Sequence, residues 1–279
     1  MDTIIGLGNA GCQIAEKLSN YPQYKIYKLD VGLTKKKGNY PLPELSTPEE
    51  YDALELKLGN FFKGVTDDIL FVVAGSGMVS NASLAILKHL RKHRVSMLYI
   101  RPDLELLQPQ SIPWLSERAV FGILQEFTRS GLFAKMWIVS NPHVEAVIGD
   151  VPVIGYYDKI NDMIVTTFHM MNVMRHTKPI IENRSTIPIA CRIGTFGLTD
   201  MENRKKMFYP LDDVSDGDYI YCVEREILEN DGSLLKRINK MTKEVNHRAY
   251  YGVYASKYEG IYVYLEQLTS RTQNNKEIA

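Results

Sequence analysis

The run Thr3-Ile4-Ile5-Gly6-Leu7-Gly8-Asn9-Ala10-Gly11-Cys12-Gln13-Ile14-Ala15-Glu16-Lys17-Leu18 decides how this chain is read. Residues 3–7 form a short apolar stretch of the kind buried on both faces of a sheet, and residues 14–18 carry a helical pattern. Between them Gly6, Gly8 and Gly11 take the spacing GxGxxG. There a backbone can approach phosphate oxygens and offer free N–H groups at a helix start. A second apolar run over residues 25–29 ends at Asp30. That is where a dinucleotide-binding fold places the carboxylate that holds a ribose, about 20 residues beyond the glycines. On these residues alone the reading is an NAD(P)-binding Rossmann oxidoreductase using Gly6, Gly8, Gly11 and Asp30.

A second glycine turn argues for something else. Ala74-Gly75-Ser76-Gly77-Met78 follows the apolar run 69–73 and precedes a helical pattern over residues 82–92, so two turns stand ready to close on one polyphosphate. The plain alternative is that glycines at strand ends merely permit tight turns. Further strands are predicted over residues 96–100, 136–139 and 151–154, with a helix marked by Val120, Ile123, Leu124 and Phe127. One long helix is predicted over 157–176 from Ile160, Met163, Ile164, Phe168, Met171 and Met174, and Pro179 ends its pattern. Its methionines are read as packing. Tyrosine-rich alternation over 219–223, 250–254 and 261–265 follows, with a helix near 234–238. The expected fold is therefore α/β. A Rossmann-like parallel sheet spans residues 1–154, a central helix 155–177, a smaller C-terminal α+β domain 178–270 and a mobile tail 271–279. Residues 32–50, with Lys35, Lys36, Lys37 and three prolines, lack any period and read as a surface loop.

Lysine plus arginine balances aspartate plus glutamate, 33 against 33, so no overall field points to nucleic acid or to an anionic membrane. Cys12, Cys191 and Cys222 are odd in number and far apart, which points to a reducing compartment; cytoplasm is the expected location. No apolar stretch approaches the roughly 20 residues of a membrane span. The six histidines lack metal-ligand spacing, and the pair His89 and His93 sits among Lys88, Arg91 and Lys92, as on a solvated basic face. No metal site is expected from protein ligands.

Gly8-Asn9-Ala10-Gly11-Cys12-Gln13-Ile14 resembles the first nucleotide loop and helix of tubulin, where a GxxGxQI pattern precedes an amphipathic helix. Residues 62–77, ending in Ala74-Gly75-Ser76-Gly77, resemble the run into the glycine-rich loop of FtsZ; Met78 and Val79 replace its later Thr-Gly. At the head of the long helix Tyr157 and Asn161 match a family pattern in which an aromatic stacks on guanine and an asparagine bonds its edge. One helical turn places both on the same face, and an amide offers the donor and acceptor that a mixed base edge needs. The order of elements resembles the tubulin/FtsZ superfamily over nearly the whole chain, in particular its short, divergent phage and plasmid members. The resemblance implies GTP or GDP as ligand, with Mg2+ as an accessory ion, and self-association into head-to-tail filaments. It implies nucleotide contacts from Gly8, Asn9, Ala10, Gly11, Cys12, Gln13, Asp30, Ala74, Gly75, Ser76, Gly77, Met78, Tyr157 and Asn161, with Asn141 and Glu105 as ribose candidates.

Hydrolysis in that family is completed across the filament contact by acids of an NxDxxD loop after the central helix, where a carboxylate positions the attacking water. Here residues 178–186 read Lys-Pro-Ile-Ile-Glu-Asn-Arg-Ser-Thr, and matching Asn183 to the family asparagine puts Ser185 and Pro188 where acids belong. Glu182 is the remaining catalytic candidate, with Arg184 beside it as a cation for a transferring phosphoryl group. A slow GTPase and a non-hydrolysing nucleotide-binding regulatory protein both stay open.

Overall fold

The opening apolar run becomes β1 (Thr3–Leu7), buried along its whole length because strands flank both its edges and helices cover both its faces. The computed structural model describes residues 1–184 and 187–273. Next come α1 (Gly8–Leu18), β2 (Lys25–Val31), β3 (Asn39–Leu42), α2 (Pro48–Asp52), β4 (Asp68–Ala74), α3 (Ser83–Leu87) and β5 (Arg94–Arg101). They are followed by α4 (Ile112–Arg129), β6 (Lys135–Ser140), α5 (Asn141–Ile148) and α6 (Tyr156–Arg175). The remaining elements are β7 (Ile181–Glu182), β8 (Ile193–Thr199), β9 (Lys206–Met207), β10 (Asp216–Glu224), α7 (Arg225–Asn230), α8 (Leu234–Glu244), β11 (Arg248–Ser256) and β12 (Ile261–Thr269).

Strands β3-β2-β1-β4-β5-β6 lie side by side and all parallel. This is the order 3-2-1-4-5-6 of dinucleotide-binding sheets, with the topological switch between β1 and β4. Alternate side chains divide between two cores. Ile4, Leu70, Val72 and Trp137 pack beneath Ile14 and Leu18 of α1 and Ile160, Ile164 and Phe168 of α6. Ile5, Phe71, Val73 and Met97 face Ile86, Leu90 and the α4 residues Val120, Phe121 and Leu124. Each fully buried chain of this size contributes about 1.5–3 kcal/mol. The sheet then continues β8-β12-β10-β11-β7 with mixed strand directions, and α8 sets Leu234 and Ile238 into a third core against Tyr219, Tyr221 and Val253.

Three expectations are corrected. Residues 151–154 form no strand; Val153 and Ile154 are exposed, since the sheet position beside β6 is taken by β8. Residues 32–50 are more than loop. β3 adds to the edge of the sheet, where Pro41 withdraws no needed donor, and α2 starts on a capping box between Thr47 and Glu50. The single helix expected over 82–92 is broken into a 3-10 turn (Met78–Ala82), α3 and a second 3-10 turn (Lys88–Leu90). Ser80, Asn81 and Ser83 there hydrogen-bond back to nearby carbonyls and compete with the helical ladder. The strand β8 and the helices α5 and α7 have no counterpart in the sequence-based expectation. Of the expected tail 271–279, residues 274–279 lie outside the described residues, as do Ser185 and Thr186. Among the described residues no helix is long and apolar enough to cross a membrane.

The joint between the parallel strands and the rest is narrow, since β6 and β8 pair through Met136–Ile193 and Trp137–Gly194. It is reinforced by Glu266 of β12, buried at 1% exposure. Its carboxylate accepts from Lys135 Nζ at 2.8 Å, Trp137 Nε1 at 2.5 Å and Arg175 Nη2 at 2.7 Å. Burial alone would raise this carboxyl. The charges of Arg175 and Lys135, with the Lys135 and Trp137 hydrogen bonds, outweigh it and hold the group at about 2. Ionised Glu266 therefore stabilises the folded chain fully above the ordinary value of 4.5, and that stabilisation disappears as the pH falls from there towards about 2. Glu266→Gln is expected to lower urea stability at pH 7 by about 3 kcal/mol, because it removes the buried carboxylate that two partly buried cations share. The gap to the parent protein should close progressively below pH 4.5; a gap independent of pH would refute this role.

Candidate functional site

The two glycine turns lie at the carboxyl ends of β1 and β4, on either side of the topological switch. Each glycine of the first turn answers a different physical demand. A side chain on Gly6 would place its Cβ 2.3 Å from the Gly11 carbonyl oxygen, and one on Gly11 would stand 2.4 Å from that of Val72. Both must lack a Cβ for α1 to begin directly against the sheet. Gly8 has φ +70°, a left-handed conformation, and a Cβ there would meet nothing within 4 Å. It faces open space. α1 has no side-chain cap and no acid in its first turn, so its leading N–H groups are free to receive an anion.

In the second turn Gly75 is pressed against the Tyr99 hydroxyl, whereas Gly77 again faces open space. Ser80, which sequence reasoning passed over, holds this turn: its one hydroxyl proton is shared between the Gly77 carbonyl at 2.5 Å and the Gly75 carbonyl at 2.9 Å. A serine three residues past the last glycine was the available signal. The two open positions, Gly8 and Gly77, sit on neighbouring strand ends, a cradle of the kind that a polyphosphate backbone fits.

The central helix is brought to the first turn by side-chain amides. Asn161, 5% exposed, donates from Nδ2 to Gln13 Oε1 at 3.1 Å, and Gln13 Nε2 donates to Asn9 Oδ1 at 3.1 Å. Lys17 of α1 adds ion pairs to Asp162 at 2.7 Å and Asp158 at 3.4 Å of α6. These two acids are exposed, and each pair contributes at most about 1 kcal/mol. Tyr157 lies one helical turn before Asn161 and is 63% exposed. Tyr156 beside it donates to Glu145 Oε2 of α5 at 2.8 Å, which fixes the start of α6.

Other sequence candidates fall into place less uniformly. Asp30 lies in β2, beside β1; burial raises its carboxyl above the usual range, opposed by a hydrogen bond from the Val31 N–H. The Cys12 thiol points into the sheet, against the Gly6 and Leu29 carbonyls at 3.5 and 3.6 Å. Burial first, then the charge of Asp30, pushes it up to about 12. The Met78 side chain likewise packs on the core, and Ala10 on the opposite core. Asn141 opens α5 at the end of β6, on the same rim as the turns. Glu105 is exposed on a 3-10 turn (Leu104–Leu106) after β5, its N–H bound to Asp103.

Glu182 is not on this rim. It sits on β7 at the far edge of the sheet, half exposed and 3.9 Å from Arg184. Arg184 is itself occupied: Nε donates to Asp218 at 2.9 Å and Nη1 to the Tyr254 hydroxyl. Asn183 pairs with the Tyr251 backbone through both its N–H and its side-chain oxygen.

The whole arrangement, parallel strands, helix start at the switch, long helix alongside and a continuation of the sheet in mixed directions, is the fold of the tubulin/FtsZ proteins. The chain superposes on a GTPγS-form protofilament of TubZ from Bacillus thuringiensis serovar israelensis with a TM-score of 0.74, 14% identity and coverage of 96% of this chain and 86% of that one. CetZ from Methanosaeta thermophila gives 0.64 at 16% identity, covering 96% and 86%. An empty FtsZ dimer from M. jannaschii gives 0.70 at 9% identity, covering 99% and 93%. No protein-family model matches the chain, and no curated protein matches its sequence.

The different demands on the glycines are separable by substitution. Gly11→Ala is expected to destabilise the protein by about 3 kcal/mol, since α1 must lift from β4. Gly8→Ala should cost about 1–2 kcal/mol, from left-handed strain alone. Urea unfolding of the two variants checks the order; equal costs would contradict it.

Proposed function

We propose that this chain is a divergent tubulin/FtsZ-like protein that binds a guanine nucleotide between its two glycine turns and α6. The observation that supports this reading is the amide relay Asn9–Gln13–Asn161, which brings the Asn161 amide of the long helix to the first turns of α1. An asparagine amide one helical turn from an exposed tyrosine matches a stacked purine with a donor–acceptor edge. Backbone N–H groups at Gly8–Gly11 and Ser76–Met78 would hold the phosphates, and Mg2+ would neutralise part of their charge. The comparisons lend no support to an NAD(P)-dependent oxidoreductase, whose strand order this sheet shares; the tubulin-like neighbours include GTPγS- and GDP-form protofilaments of TubZ.

Assembly is the expected use of the nucleotide. Val153, Ile154 and Tyr157 are exposed at the start of α6, and Ile180 and Ile181 are exposed beyond its end. A helix of this length separates the two groups by roughly 30 Å. Unlike surfaces at opposite ends suit a heterologous, head-to-tail contact that repeats without closing. Such a contact would bring the β7 segment of one copy to the nucleotide of the next, which makes Glu182 the carboxylate available for water positioning.

Nucleotide released on denaturing the purified protein should be GDP or GTP, and Asn161→Asp should weaken N-methylanthraniloyl-GTP binding about tenfold or more, through loss of the amide donor. Release of NAD(P), or unchanged binding in the variant, would overturn the assignment. Addition of GTP with magnesium should cause sedimentable assembly that EDTA reverses; a monomer at all concentrations would remove the filament. Glu182→Ala should slow phosphate release at least about tenfold in the assembled state while leaving nucleotide affinity intact. No release in the parent protein would identify a non-hydrolysing form.

A further inference from the structure

A second concave surface lies behind the second glycine turn, between α2, α3 and α4, with a volume of ≈540 Å³. That is within the range of about 300–1,000 Å³ that single organic molecules fill. Its floor is Leu84, Val120 and Leu124, and Ile112, Leu115 and Ile123 rise from α4 along one side with 49%, 51% and 44% exposure. Three exposed branched side chains on one helix face are costly to leave in water. The opposite rim is acidic: Glu49 and Asp52 of α2 line it, and no ion pair joins either to a described residue. The nearby cation of α4, Arg118, lies over the Trp114 ring, 4.5 Å from its centroid, and does not line the groove.

We propose that this groove is a binding site for an organic cation: a flat apolar ring system seated on the α4 side chains, with a protonated amine directed to Glu49 and Asp52. An anion would meet two carboxylates, and a peptide helix would need a longer trough for its successive anchors. The groove's inner wall includes Ser80 and Asn81. Ser80 holds the Gly75 and Gly77 carbonyls, and Asn81 bridges the Met78 carbonyl and the Ser116 hydroxyl of α4. An occupant clamping α4 against this wall therefore steadies the second glycine turn. Binding itself stands apart from the guanine-nucleotide reading; any consequence for nucleotide affinity rests on it.

Three probes share one ring and differ in charge: 1-naphthylmethylamine, 1-naphthylmethanol and 1-naphthylacetate. Equilibrium dialysis against the full chain at low salt should give the amine about tenfold tighter binding than the acetate, with the alcohol between, and the spread should shrink as salt screens the rim. Ala119→Trp, on an exposed position lining the groove, should abolish binding of all three. Glu49→Lys with Asp52→Lys, both on exposed positions, should reverse the order of amine and acetate. Amide exchange over residues 75–82 should slow with amine bound. Absence of binding, affinity unchanged by Ala119→Trp, or an order indifferent to the charge reversal would overturn the site, and unchanged exchange would overturn its link to the turn. Because no nucleotide is added, these outcomes are independent of N-methylanthraniloyl-GTP binding, which reports separately on the nucleotide reading.

Discussion

The constraint on which the architecture turns is the missing pair of side chains at Gly6 and Gly11. A helix axis ordinarily stands about 10 Å from a sheet, separated by side chains from both. Here the first turn of α1 touches the backbones of β1 and β4, with room for no Cβ at either glycine. That approach puts the helix start at the strand ends, where the neighbouring strands β1 and β4 send their chains to opposite faces. The anion-receptive end of α1 and the second turn then share one crevice as a consequence of packing.

The long helix is positioned from both ends. Near its start the Asn161 amide and the Lys17 ion pairs tie it to α1, and near its finish Arg175 reaches Glu266 in β12. One rigid element thus spans the distance from the candidate nucleotide site to the joint with the mixed strands. The direct strand pairing at the joint is short, and it is backed by the buried core that Trp137 and Phe168 share with Phe196, Phe208 and Tyr254 and by one buried carboxylate with its three donors. A charge so enclosed favours a single geometry over sliding alternatives, as its partners must all be met at once.

Some features were hidden in the sequence for identifiable reasons. β8 reads Ile-Gly-Thr-Phe-Gly-Leu-Thr, and two glycines mask its strand character; in the fold, side chains there would strike the Gln267 and Lys206 carbonyl oxygens. β3 was obscured by Pro41, tolerated because the strand is at an edge. Residues 151–154 have strand-like composition yet remain exposed, since strand formation needs a free sheet edge and β8 occupies it. Arg184, attractive as a mobile cation, is engaged by Asp218 and Tyr254, partners distant along the chain that no local pattern reveals.

From sequence alone came what short-range chemistry can encode: buried strands as apolar runs, a helix after the first glycine turn, the second glycine turn, and the helical spacing of Tyr157 and Asn161; only the fold shows that this helix already begins at Gly8. Those features depend on period, turn residues and propensity, which act over a few residues. Only the tertiary structure decided that Asn161 meets Gln13, that Gly6 and Gly11 are close-packing positions, that Cys12 and Met78 turn their side chains inward, and that Glu182 lies at the opposite edge of the sheet from β3. Each of these is a contact between residues far apart in the chain, and such contacts exist only once strand order and helix packing have fixed which surfaces face each other.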